Sequence, residues 1–199
     1  MSSSGRSMPF DQRRDGFVMS EGAGMLMLED WDNAVERGAT ILAEAMGAAS
    51  TADAHHITAP APGGTGAVRC MELALEDAGI GAADLRHINA HGTSTPLNDA
   101  AEAHAMAKVF GDQGPIVTST KGVTGHALGA AGALEAVALV LSMQHRRIPP
   151  TVGWAESDPE LPAIDLVTDP AGREWEPGPS MSNSFGFGGH NGSVVFGPV

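Results

Sequence analysis

One pattern constrains this chain more than any other: a short apolar run leads into a polar island, and a helical period follows. It occurs twice. Leu85 to Ala90 runs into Asn89-Ala90-His91-Gly92-Thr93-Ser94-Thr95, and Leu97 to Phe110 then turns helical until Gly111. Ile116-Val117-Thr118 runs into Ser119-Thr120-Lys121-Gly122-Val123-Thr124-Gly125-His126, and Leu134, Val137, Ala138 and Leu141 then mark a more continuously apolar helix. Small residues Ala127, Gly129, Ala130, Ala131 and Gly132 open that helix, which is predicted to be buried on most sides. Strands alternating with helices, each island following a strand, predict an α/β layered fold with its reacting groups at the strand ends.

The rest of the chain fits the same class. Residues 1–9 read as a flexible lead-in and 10–199 as one body. Gly16 to Met19 and Ala23 to Leu28 are apolar runs of buried-strand length. A helix is predicted from Trp31 to Arg37, stopped by Gly38, then a strand within Thr40 to Ala49 and a turn-rich stretch from Thr58 to Gly64. Between Thr65 and Ala78 the residues Ala67, Cys70, Met71, Ala74, Leu75 and Ala78 recur at helical spacing, which makes Cys70 a core residue and not a nucleophile. Strands are expected at Leu166–Thr168, Met181–Ser184 and Ser193–Phe196.

Charge narrows the function. A net −13 argues against a general nucleic-acid or anionic-membrane surface, and the basic pairs Arg13-Arg14 and Arg146-Arg147 read as solvated groups. One cysteine excludes an internal disulfide framework, and no uninterrupted apolar stretch is long enough to span a bilayer, so a soluble cytoplasmic protein is expected. The eight histidines lack paired metal-ligand spacing, so no transition-metal site is expected. Neither a phosphate loop nor a GxSxG elbow is present.

The islands place His91, Lys121 and His126 in apolar surroundings. Such a set can polarise a carbonyl or hold a developing oxyanion, but covalent acyl transfer also needs a thiol or hydroxyl nucleophile, and none accompanies it. His126 follows Gly125 and precedes the apolar helix, so the helix dipole favours its neutral form. Lys121 needs a counter-ion if buried, and Glu135, two to three turns into that helix, is available. The Thr93 and Thr95 hydroxyls offer hydrogen bonds to an amide-rich ligand. A capping histidine and a structural Lys121–Glu135 pair are the competing readings.

Taken together, the motifs resemble the β-ketoacyl-[acyl carrier protein] synthases, condensing enzymes of fatty acid and polyketide synthesis with a thiolase-like fold. The matching strings are Pro9-Phe10-Asp11, Arg14-Asp15-Gly16-Phe17-Val18, Glu21-Gly22-Ala23-Gly24, Asp53-Ala54-His55-His56-Ile57-Thr58, the two islands, Pro149-Pro150-Thr151, and Asn183-Ser184-Phe185-Gly186-Phe187-Gly188-Gly189 with Asn191-Gly192. The resemblance is to the C-terminal half of the type II elongating kind. It implies that His91 and His126 bind the malonyl thioester and promote decarboxylation, with Lys121 and Glu135 supporting them. It further implies Thr93 and Thr95 along the phosphopantetheine arm, Thr58 beside the malonyl site, and Phe187 with Phe185 at the gate and oxyanion hole. Some relatives hold a monovalent cation at positions matching Asn89, Ala90, Glu135, Ser182 and Asn183. The family's nucleophilic cysteine belongs to an N-terminal half. The resemblance therefore implies a split synthase subunit that works with a cysteine-bearing half and an acyl carrier protein, in dimers of such units, with no tightly bound cofactor. A fragment of a longer synthase and a non-catalytic interaction or chain-length subunit are the alternatives. An exposed apolar face is expected where the other half packs.

Overall fold

Apolar spacing and capping residues account for the helices of the computed structural model, which describes residues 1–199 apart from the side chain of Asp112. Helix α1 (Trp31–Glu36) starts at Asp30, whose carboxylate accepts from Asn33 N at 3.2 Å. Strand β1 (Glu44–Ala52) is followed by α2 (Thr65–Asp77), β2 (His87–Asn89) and α3 (Pro96–Phe110). The Thr95 hydroxyl caps α3 by accepting from Asn98 N at 3.3 Å, and Pro96 sits in the first turn, where its missing N–H breaks no helical bond. Next come β3 (Ile116–Thr118), the single turn α4 (Lys121–Thr124) and α5 (Ala131–His145). The chain closes with β4 (Arg147–Ile148), β5 (Asp165–Leu166), β6 (Arg173–Glu174), β7 (Ser180–Gly186) and β8 (His190–Gly197).

Six strands form one mixed sheet in the order β1-β8-β7-β2-β3-β5, and β4 pairs with β6 separately. β7, β2, β3 and β5 run parallel, while β8 returns antiparallel between β7 and β1. In a parallel sheet the loops leaving the carboxyl ends share one edge. The exits of β7, β2 and β3 are therefore neighbours, and they carry Phe187, His91 and Lys121 respectively.

The two sheet faces differ in chemistry. Ile88, Val117, Met181 and Val195 pack with Val68, Met71, Leu75 and Met106 of α2 and α3 in the main core. The residues that alternate with them, His87 and Asn89 on β2 and Ser180, Ser182 and Ser184 on β7, are polar or small. On that side Asn89 Nδ2 donates to Glu135 O of α5 at 3.2 Å, and a side chain at Gly132 of α5 would meet Ser184 Oγ at 3.3 Å.

Several expectations need correction. Gly16–Met19 and Ala23–Leu28 form no ladder, apart from one bridge between Met19 and His126. The second segment is extended across α5: a side chain at Gly24 would run into Ala133, and Leu26 packs against the cluster of Ala136, Leu139, Met143 and Phe196, while Met25 and Met27 point outward at 87% and 86% exposure. Only Leu26 of this segment is partly covered, and the segment has no sheet neighbour among the described residues. For the same reason α5 is buried only in part, with Leu141 exposed and Leu134 and Val137 half-buried. Leu128–His145, with mean hydropathy 1.3, is long and apolar enough to cross a bilayer, contrary to expectation, yet it carries the ion-paired Glu135 and packs on the sheet. Residues 1–9, expected as a flexible lead-in, are tied down: Ser2 N donates to Phe17 O at 2.8 Å, Met8 N to Ser94 Oγ at 2.8 Å, and the hydroxyls of Ser2 and Ser3 bond Asp15.

Candidate active site

Lys121, His91 and Glu135 meet in one buried cluster. Lys121 Nζ lies 3.2 Å from His91 Nδ1 and also donates to Glu135 Oε1, and all three side chains are almost wholly enclosed. Glu135 stands one turn into α5, nearer its start than expected. An ammonium can only donate, so His91 Nδ1 accepts and the ring proton of neutral His91 sits on Nε2. Burial holds the His91 pKa well below its ordinary 6.5, and the neighbouring Lys121 and His126 push it the same way. Burial raises Glu135, and the ammonium partly offsets that.

His126 comes from the turn after α4. Its ring is edge-on to His91, with centroids 5.3 Å apart, and edge-on to Phe17 at 5.5 Å. Backbone bonds to the Val18–Ser20 segment fix it: His126 N donates to Val18 O at 2.7 Å and Ser20 N to His126 O at 3.1 Å. The helix-dipole argument fails in its details, because a 3-10 turn, Leu128–Ala130, separates His126 from α5. Neutrality has another cause: desolvation first, then Lys121, lowers its pKa to about 4. Leu128 N donates to His126 Nδ1 at 3.3 Å, which leaves the proton of this ring on Nε2 as well. The site thus holds two neutral imidazoles in van der Waals reach, each with an Nε2–H to offer.

Two carboxylates not singled out from the sequence hold the His91 loop. Glu102 accepts from His91 N and Gly92 N, both at 2.8 Å, and Asp99 accepts from Phe10 N at 2.8 Å and Ser94 N at 3.1 Å. Both are fully buried; burial outweighs the hydrogen bonds and raises Glu102 to about 7 and Asp99 above its usual value. Their clamp keeps Ser94 at φ 68, a left-handed conformation that only Gly adopts freely. The signal was available: Asp99, Glu102, Ala103 and Met106 share one helical stripe, so carboxylates fill positions of an otherwise apolar face.

The remaining expected residues are placed unevenly. Thr93 and Thr95 bond each other at 2.9 Å, and Thr95 also caps α3. Phe185 lies near His91, with centroids 6.1 Å apart, while Phe187 is 68% exposed on the adjoining turn. Thr58 is exposed in a loop held to that turn by Gly188 N donating to Ile57 O at 2.8 Å, and it makes no hydrogen bond to the histidine cluster. Cys70 is buried between α2 and β1, its thiol pKa pushed up by burial, so it is structural. Among the described residues no three His, Cys, Asp or Glu side chains converge as a transition-metal site. For a monovalent cation the fit is partial: Asn89 Oδ1 and Glu135 Oε2 are buried oxygens without a hydrogen-bond partner, but the Asn183 side chain is committed to Ser193 and Met71.

Comparison with known proteins accords with this geometry. Residues 42–155 match the family "Beta-ketoacyl synthase, C-terminal domain", and residues 1–34 match "Beta-ketoacyl synthase, N-terminal domain". The 3-oxoacyl-[acyl-carrier-protein] synthase 2 of Staphylococcus aureus is 48% identical over 190 residues, covering 94% of this chain and 47% of that protein. The synthase 2 of Synechocystis is 47% identical, covering 96% of this chain and 46% of its own. Among solved structures, the ishigamide ketosynthase/chain length factor superposes with TM-score 0.93 at 40% identity, over 98% of this chain and 47% of that one. A β-ketoacyl synthase from Burkholderia phymatum gives TM-score 0.93 at 42% identity, over 96% and 46%. A type II PKS acyl-carrier protein in complex with its ketosynthase gives 0.92 at 38%, over 98% and 48%. The chain spans about half the length of the relatives it matches.

Proposed function

Since this chain belongs to the β-ketoacyl synthase family, as its C-terminal portion, we propose that it supplies the malonyl side of a decarboxylative condensation whose nucleophilic cysteine comes from an N-terminal ketosynthase half. The observation that carries the reading is the pair of neutral imidazoles, His91 and His126, with Lys121 fixing the tautomer of the first. As the malonyl carboxylate leaves as carbon dioxide, its bonding electrons pass into an enolate on the thioester. Two Nε2–H groups hydrogen-bond that oxygen without protonating the carbanion, which an imidazolium would do. The enolate carbon then attacks the acyl thioester on the cysteine, forming the new carbon–carbon bond and expelling the thiolate. In this reading Phe187 gates the acyl site, Thr58, Thr93 and Thr95 border the malonyl thioester and its phosphopantetheine arm, and an acyl carrier protein delivers both substrates to a cytoplasmic dimer of such units. A monovalent cation at Asn89 and Glu135 would give their free oxygens a partner and steady α5 against β2.

The exposed apolar segment Ala23–Leu28 and the half-covered α5 support a partner half on that side. We place the cysteine half on a separate chain. The match of residues 1–34 to the N-terminal-domain family favours a second reading, in which both halves share one polypeptide, and the intact mass of the native gene product separates the two. Co-expression with a cysteine-bearing half tests the proposal: a complex that loads acyl groups and condenses them is expected. Absence of a complex, or a complex inert toward malonyl-carrier protein, would sink it.

A further inference from the structure

The turn Gly186–Gly189 joins β7 to β8 and carries Phe187 outward. Its two halves are held differently. Gly189 O accepts from Asp53 N at 2.8 Å, and Asp53 is itself anchored by Asn191 Nδ2 at 2.7 Å and Ala61 N at 2.9 Å. The half nearer Phe187 has a lighter hold: Gly188 N donates to Ile57 O at 2.8 Å, within a loop where Ile57 is itself 77% exposed. The second support is a ring. His190, the first residue of β8, lies against Gly188: a Cβ built there would sit 3.2 Å from His190 Cδ2 and 3.3 Å from Nε2. Gly188 has φ 81, so the position both needs glycine for its backbone and leaves its vacant side-chain space to the imidazole.

We propose that His190 is a positioning residue for the Phe187 turn: its ring fills the space beside Gly188 and limits how readily the turn lifts away from the strand end. The inference rests on the reading of Phe187 as the gate. Without the ring, Gly188 keeps one backbone bond to an exposed loop, and two successive positive-φ glycines have many alternative conformations open to them. The ring acts by filling space, so a planar apolar ring should serve in its place.

The test compares wild type, His190→Ala and His190→Phe in the chain assembled with its N-terminal ketosynthase half, by hydrogen exchange of the Gly188 and Asp53 amides and by steady-state condensation kinetics. In His190→Ala, exchange at Gly188 should rise about tenfold or more while the Asp53 amide, which donates to Gly189 O, changes little. KM for the acyl substrate should shift about threefold or more with a smaller change in kcat, whereas a mere loss of folded enzyme would lower the apparent kcat alone. His190→Phe should restore both. Unchanged Gly188 exchange in His190→Ala, or a His190→Phe variant that behaves like alanine, overturns the proposal. Exchange is read whether or not condensation occurs, so an inert complex with the expected exchange pattern counts against the proposed function and not against the role of His190.

Discussion

Replacing Lys121 with Met keeps the length of the side chain but removes the cation between His91 and Glu135. The Glu135 carboxylate is then buried without a counter-charge, and one of its oxygens already lacks a partner. The cheapest escape is to take up a proton on folding. An unfolded glutamate ionises near its ordinary value of 4.5, so above that pH each further unit adds about 1.4 kcal/mol to the cost of folding with the proton on. The sign follows: a raised folded pKa gives stability that is full below the unfolded value and lost as pH rises. Lys121→Met should therefore cost about 3 kcal/mol at pH 7 and under about 1 kcal/mol at pH 5. Adding Glu135→Gln to Lys121→Met removes the titrating group and should recover most of the loss at pH 7. Urea denaturation from pH 5 to 8, followed by tryptophan fluorescence, reads these differences. A destabilisation of the same size at every pH would refute the account of the pair.

Three further outcomes are expected. Glu102→Gln offers one acceptor where His91 N and Gly92 N need two, so it should cost about 2 kcal/mol in denaturation and speed amide exchange at residues 91–92. His87 is fully buried with neither ring nitrogen bonded and its pKa lowered to about 3, so His87→Phe should stabilise the fold by about 1 kcal/mol at pH 7. The gain should grow by about 2 kcal/mol at pH 5, because below about 6.5 the unfolded imidazole binds a proton that the folded one refuses, and denaturation midpoints at the two pH values check it. Met25→Ser with Met27→Ser should weaken binding to the N-terminal half at least tenfold by titration if these outward side chains are covered there.

How much was legible depended on whether a residue's partners lie nearby in the chain. Helices α2 and α3 were plain because periodicity and glycine stops are local, and the histidine islands were plain because polar residues interrupt apolar runs. The neutral state of His126 was foreseen for the wrong reason: the intervening 3-10 turn is invisible to spacing, and its low pKa comes from tertiary burial. Asp99 and Glu102 were missed because a carboxylate on a helix reads as solvated unless its place in the apolar stripe is counted. The Ala23–Leu28 segment was expected as a buried strand because its run is apolar, but a ladder needs a neighbour, none of the described strands lies beside it, and all but Leu26 are exposed.

In the proposed reaction His91 and His126 stabilise the enolate formed when malonyl thioester loses carbon dioxide. Release of labelled carbon dioxide from malonyl-carrier protein, measured on the complex of this chain with its cysteine half, tests it most directly. His91→Ala and His126→Ala should each lower release about 100-fold or more while the complex still assembles. Release at the wild-type rate from both variants would contradict the account.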